Sequence, residues 1–307
     1  MERVPRPAAI RGSAPGKVIL LGEHAVVYGR AAIAAAIDRR VEVALRPATG
    51  SARFDQEDDS RLATALKRAA ELVGGPTSDF VATISSDLPR AMGLGSSAAL
   101  SVALVRALAT QAGRRLEVAE LSALAFEIET IFHGTPSGID PAAAALGATC
   151  FRFVRGEPPT VTPLRTPRPL PLVVAFGEAP RSTGAAVGGL RARWEADRDA
   201  HERLFDAVAD VVARGTAALE AGDLRAVGAA FDDNQALLAR LGVSSAAIAR
   251  LTDVARRAGA HGAKLTGGGA GGAVIAVADD PEPVAAALRR DGARVLVVRV
   301  GGEGEGV

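Results

Sequence analysis

Residues Ser96 to Ala112 would be apolar on nearly every side of a helix. A helix without a polar face has to be buried, so the chain must fold around this segment as a core element. Directly before it stands Pro89-Arg90-Ala91-Met92-Gly93-Leu94-Gly95-Ser96-Ser97-Ala98-Ala99. Glycines let the backbone turn its N–H groups toward a ligand. The helix that follows adds unpaired N–H groups and a partial positive charge, a combination suited to phosphate. The same residues also fit an ordinary capped helix start, since serine is a good N-cap.

Two other phosphate loops fail on spacing. Gly93-x-Gly95-x-x-Ala98 satisfies the dinucleotide pattern, but that pattern belongs directly after a strand. Here Ser86 to Met92 intervenes after the strand expected at Phe80 to Ile84. Gly12-x-x-x-Gly16-Lys17-Val18 has three residues between its glycines and ends in valine. A Walker loop needs four, then Lys and Ser or Thr.

The charge balance, 36 basic against 35 acidic residues and a net +1, gives no electrostatic reason to expect nucleic acid or an anionic membrane as partner. Any anion must be handled locally. The single cysteine, Cys150, excludes an intramolecular disulfide and a multi-cysteine metal site, and reads as a buried core residue. No run reaches the ~20 apolar residues of a membrane span, and the N-terminus lacks a secretory apolar stretch. A cytoplasmic protein is expected.

Periodicity predicts strands at Lys17–Leu21, Ala31–Ile37, Val41–Leu45, Phe80–Ile84, Phe151–Val154, Pro171–Phe176, Ala273–Ala278 and Val295–Val300. Helices are expected at Arg61–Val73, Ser96–Ala112, Leu116–Phe132, Ser182–Arg240 with a break near Gly222-Asp223, Ala246–Ala258 and Glu282–Arg290. The stretch 156–171 holds six prolines and reads as a loop or domain junction. Strands and helices mix irregularly, which favours two α+β domains, 1–165 and 166–307, over a doubly wound sheet.

Three further segments carry ionisable or glycine-rich signatures. Lys17 to Gly29 places Lys17 before an apolar strand and Glu23-His24 at its end, where functional residues collect. Lys17 alone is also a surface lysine, and His24 alone also a structural histidine. Lys264 to Gly272 contains Gly267, Gly268 and Gly269, a loop that either approaches phosphates closely or simply turns. His133 to Pro141 sets Asp140 in a tight Pro/Gly-shaped turn. On an ideal helix Glu129 lies about 100° round from Ile128, at the border of the apolar stripe, so it can reach inward while Glu127 points away.

Taken together, Pro15–Gly29, Pro89–Ala99 and Lys264–Gly272 resemble the three motifs of the GHMP kinases, in the right order over nearly the whole chain. KVILLGEHAVVYG (Lys17–Gly29), HGTPSGID (His133–Asp140) and Ala179-Pro180-Arg181-Ser182-Thr183 resemble the branch of that family that phosphorylates mevalonate.

The resemblance implies an α+β, two-domain GHMP kinase architecture. Its N-terminal domain would be like ribosomal protein S5 domain 2 and its C-terminal domain ferredoxin-like, with ATP and substrate bound between them. It implies ATP and Mg2+ as cofactors and mevalonate as substrate, and it admits a homodimer. By residue, Gly93, Leu94, Gly95, Ser96, Ser97 and Ala98 match the phosphate loop, with Gly267, Gly268 and Gly269 as its glycine-rich counterpart. Ser97 and Glu129 match the metal ligands, and Asp140 and Lys17 the catalytic pair. Glu23, His24 and Thr183 match substrate-side residues, and Arg152 or Arg181 would meet the substrate carboxylate. A GHMP kinase acting on a sugar or a related isoprenoid alcohol, and a non-catalytic nucleotide sensor, are the alternatives.

Overall fold

The computed structural model describes residues 9–55, 59–89, 92–133, 137–147, 150–177, 183–269 and 272–301, with the side chains of 183–187 excepted. In chain order the elements are β1 (Ile10–Leu21), a 3-10 turn (Ala25–Tyr28), β2 (Ala32–Ser51), β3 (Arg53–Phe54), α1 (Ser60–Val73), β4 (Ser78–Ser86), α2 (Ser96–Gln111), α3 (Val118–Phe132) and α4 (Ile139–Leu146). They continue as β5 (Cys150–Val154), β6 (Thr160–Leu164), β7 (Leu170–Phe176), α5 (Thr183–Ala196), α6 (Arg198–Ala221), α7 (Leu224–Arg240), α8 (Ala246–Arg257), β8 (Gly262–Thr266), β9 (Ala273–Val277), α9 (Pro281–Arg290) and β10 (Arg294–Val300).

The chain divides into two compact units, each gathering several stretches. The first comprises residues 1–16, 39–89 and 95–147. In it the later part of β2 pairs antiparallel with β4, Val43 opposite Ile84, and β3 runs parallel to β4. Helix α2 packs against α1, α3 and α4, and its alanines, valines and leucines from Ala98 to Ala109 are buried, as an all-round apolar helix requires. Gly12 of β1 lies so close to α2 that any side chain there would collide with the Ala103 carbonyl.

The second unit comprises residues 17–38, 90–94 and 148–307. Its antiparallel sheet places β10 beside β7, β7 beside β9 and β9 beside β8, while Val300 of β10 meets Ile37 of β2. Strand β8 is fully buried although β9 is its one strand neighbour among the described residues. An exposed edge would leave every second N–H unpaired. Here α7 covers it: Asp232 Oδ1 accepts from Ala263 N at 2.9 Å, and Gln235 Oε1 from Leu265 N at 2.9 Å.

Several expectations change on contact with the fold. The proline-rich stretch lies inside the second unit and contains β6, whose one strand neighbour among the described residues is β5. Pro163 can sit in it because an edge strand does not need that N–H. The two runs Ala31–Ile37 and Val41–Leu45 belong to one strand, β2, because Asp38, Arg39 and Arg40 interrupt the apolar pattern without breaking extended backbone. The segment around Asp140 is a helix start, α4, with Gly138 left-handed at φ 87° as its N-cap. Pro141 falls in the first turn, where a missing N–H costs nothing. The long helical region has a second break at Asp197, whose carboxylate caps Ala200 N at 3.1 Å. No helix among the described residues is long and apolar enough to cross a membrane.

Candidate active site

In the first unit the site grows from the start of α2. Gly95 is left-handed, φ 69°, and makes no side-chain cap, so the first amides of α2 have no capping acceptor from that residue. Ser97, one residue into the helix, donates from Oγ to Glu129 Oε2 at 3.2 Å and lies 3.2 Å from His133 Nε2. Ser101, one turn on, donates to the other Glu129 oxygen at 3.4 Å. Glu129 is 1% exposed, whereas the Glu127 side chain is 51% exposed beside Arg68. The helical phase of α3 thus turns one glutamate inward and its near neighbour out. Asp140, half-buried, stands in the first turn of α4, which packs on both α2 and α3.

A carboxylate at a helix N-terminus is favoured by the helix dipole, which accounts for Asp140 at that position. A serine hydroxyl and a carboxylate are hard oxygen donors of the kind magnesium takes, with water and phosphate oxygens completing its six ligands. The Ser97–Glu129 pair therefore fits such an ion chemically.

In the second unit Gly22, Glu23 and His24 follow the end of β1 at Leu21. Gly22 has φ 92°, and a Cβ there would come within 2.6 Å of the Ala31 carbonyl oxygen, so only glycine fits. His24 has φ 63° and ψ −50°, and Ala25 N donates to the Glu23 carbonyl at 2.7 Å. That i to i+2 bond makes His24 the centre of a classic γ-turn, a rare and strained conformation. Below it, the buried Glu23 carboxylate is paired with the fully buried Lys264 of β8 and accepts from Asn234 Nδ2 of α7 at 2.9 Å. Burial pushes the Glu23 carboxyl up and the Lys264 ammonium down, and their mutual attraction pulls each back toward its charged form.

His24 is itself buried, and its Nε2 has no hydrogen-bond partner among the described residues. Burial lowers its pKa to about 4, a backbone hydrogen bond with Gly268 opposes the shift, and the charges of Lys264 and Arg193 add to it. The ring is therefore neutral at physiological pH. A backbone group that favours the protonated ring accepts from it, which makes the Gly268 carbonyl the acceptor.

The glycine-rich loop begins where β8 ends. Thr266 ties it to β1, accepting from Ile19 N at 3.0 Å and donating to the Ile19 carbonyl at 2.9 Å. Gly267 and Gly269 have φ of 81° and 71°. A Cβ built on Gly267 would lie 3.8 Å from the Gly93 carbonyl oxygen, so these two glycine turns are neighbours. Leu94, buried, accepts from the Lys17 amide at 2.9 Å. The Lys17 side chain is buried as well.

The structure thus brings Ser97 to Glu129, Glu23-His24 to the residues around Gly268, and Gly93 to Gly267. Lys17 belongs to the second unit and Asp140 to the first. Thr183 opens α5. Arg152 is exposed on β5 between the buried Phe151 and Phe153, with Ile33 and Thr162 as its cross-strand partners. Arg181 lies outside the described residues. His133, Ser101, Asn234 and Lys264 are site neighbours that the sequence reading did not assign. For Lys264 a signal existed: it is the first residue of the third motif, Lys264–Gly272.

Residues 60–148 match the family model for the GHMP kinases N terminal domain, and residues 216–293 that for the GHMP kinases C terminal. The mevalonate kinase of Pyrococcus horikoshii is 33% identical over 96% of this chain and 96% of its own length. That of Aeropyrum pernix is 36% identical, over 89% and 90%. The crystal structure of L. major mevalonate kinase in complex with R-mevalonate has a TM-score of 0.88 to this chain at 26% identity, covering 98% of this chain and 99% of that one. With both domain models matched in order and relatives aligned over nearly the full length, this chain belongs to the GHMP kinase family and has its two-domain α+β architecture.

Proposed function

We propose that this chain transfers the γ-phosphoryl group of ATP to the primary hydroxyl of mevalonate, giving 5-phosphomevalonate for isoprenoid precursor synthesis. The relatives named mevalonate kinase and the mevalonate-bound structural neighbour support the choice of substrate. The observation that carries the phosphoryl-transfer reading is the Ser97–Glu129 pair at the start of α2.

Phosphoryl transfer proceeds through a loose transition state, so the protein's work is positioning and charge stabilisation. The amides of Gly95 to Ala98 face the nucleotide phosphates, and Gly93 with Gly267 to Gly269 lets the backbone approach them. Ser97 and Glu129 would hold Mg2+, which would supply positive charge against the developing negative charge of the phosphates. Asp140 takes or orients the proton of the reacting hydroxyl, and Lys17 supplies positive charge to the same reaction. His24 is neutral, with Nε2 buried and unpaired among the described residues, and so accepts a hydrogen bond from a substrate hydroxyl. Thr183 lies on the substrate side. Arg152 or Arg181 meets the substrate carboxylate.

The test is ADP release with magnesium and ATP across candidate alcohols. Turnover with mevalonate and none with galactose is expected, and the reverse preference would overturn the assignment. The absence of ADP release with every alcohol would point to the nucleotide-sensor alternative.

A further inference from the structure

The γ-turn at His24 is a rare local geometry, and directly beneath it lies a buried ion pair. A non-glycine residue at φ 63°, ψ −50° persists only where its surroundings over-determine it. Three contacts converge on the residue before it. Lys264 pairs with one Glu23 oxygen, Asn234 donates to the other at 2.9 Å, and the Glu23 carbonyl accepts the γ-turn bond from Ala25 at 2.7 Å.

The two clamping side chains are themselves fixed. Lys264 is fully buried in β8, also donates to the Leu265 carbonyl, and sits 5.9 Å from the centre of the Phe231 ring. Phe231, Asn234 and Gln235 share one face of α7, at i, i+3 and i+4, and Gln235 bonds the Leu265 amide of the same strand. Helix α7 and strand β8 therefore form one rigid mount, and Glu23 is bolted to it by both carboxylate oxygens. Two charges buried this deeply contribute little net stability compared with an apolar pair, so a role beyond stability accounts better for them.

We propose that Lys264 and Asn234 are positioning residues, which clamp the Glu23 carboxylate and thereby hold His24 in its γ-turn with Nε2 presented to the substrate. The inference rests on the assignment of His24 to the substrate side made above. Without the clamp, residue 23 rotates, His24 relaxes to negative φ, and its ring leaves the position set by Gly268.

The experiment compares three changes, each checked by circular dichroism for a folded state at the assay temperature. The double variant Glu23→Gln/Lys264→Met removes both charges together, leaving no lone buried ion. Asn234→Leu keeps the ion pair and removes one clamp. His24→Ala removes the presented group. The double variant is expected to raise the KM for mevalonate roughly tenfold or more, the scale of the strain it releases. Asn234→Leu should raise it less, and the KM for ATP should stay within about twofold in both. Adding His24→Ala to the double variant should raise the KM no further, because the ring is already misplaced. Effects that multiply in full, or an unchanged KM in the double variant, would overturn the proposal.

A crystal structure of the double variant gives a readout independent of turnover. A negative φ at residue 24 supports the clamp, and a retained positive φ refutes it. Failure of the functional reading looks different, since the parent enzyme itself would then release no ADP with mevalonate.

Discussion

Ser97, in the first turn of α2, donates to the Glu129 carboxylate at 3.2 Å, although 32 residues separate them in the chain. The bond joins the start of one helix to the end of the next, and it gathers a hydroxyl and a carboxylate where helix amides face outward. Glu129→Gln keeps the shape and can still accept from Ser97, but it removes the charge. Turnover should fall by about 10²-fold or more, and the magnesium concentration for half-maximal rate should rise. Thermal melting followed in parallel separates loss of charge from loss of fold. An unchanged magnesium dependence would remove Glu129 from the metal site.

Asp140 is expected to act on the reacting hydroxyl and not on the nucleotide. Asp140→Asn should lower kcat by ~10²–10⁴, the usual worth of a positioned base. ATP binding, measured by calorimetry, should stay near the parent value. Near-normal turnover would show that the carboxylate is dispensable.

The pKa of His24 is lowered to about 4 from an ordinary 6.5. Between those values the unfolded chain binds a proton that the folded chain refuses, so stability falls as pH drops from 6.5 to 4 and is unaffected by this residue above 6.5. The full effect is on the order of 3 kcal/mol. His24→Asn carries no titrating group and tolerates positive φ better than most residues. Urea denaturation across that pH window should show a shallower decline in the variant than in the parent. Parallel curves would mean that the ring protonates in place.

Gly269 combines φ 71° with close packing, and a Cβ there would collide with the Val243 carbonyl. A backbone atom cannot swing aside as a flexible side chain can. Gly269→Ala should cost about 1–3 kcal/mol, read as a lowered melting temperature. Parent-like stability would mean that the loop re-forms without strain.

Much of the fold is legible residue by residue. Helix α2 is recovered within a residue of Ser96–Ala112, because a segment apolar on all sides has few alternatives to a buried helix. The inward turn of Glu129 and the outward turn of Glu127 follow from helical phase alone. Strand β6 and helix α4 were hidden by proline. In sequence, Pro163 and Pro141 read as interruptions, and only their places at a sheet edge and in a first helical turn make them harmless.

The chain's own order of residues determined where helices and strands form, which glycines must turn, and which motifs stand ready for phosphate. These depend on periodicity and backbone sterics acting over a few residues. The tertiary structure alone decided that Lys264 is buried and that its partner is Glu23, 241 residues away. A buried cation is tolerable only beside its counter-charge. Neither the cost of taking it out of water nor the attraction that offsets that cost exists until distant stretches of chain have packed together.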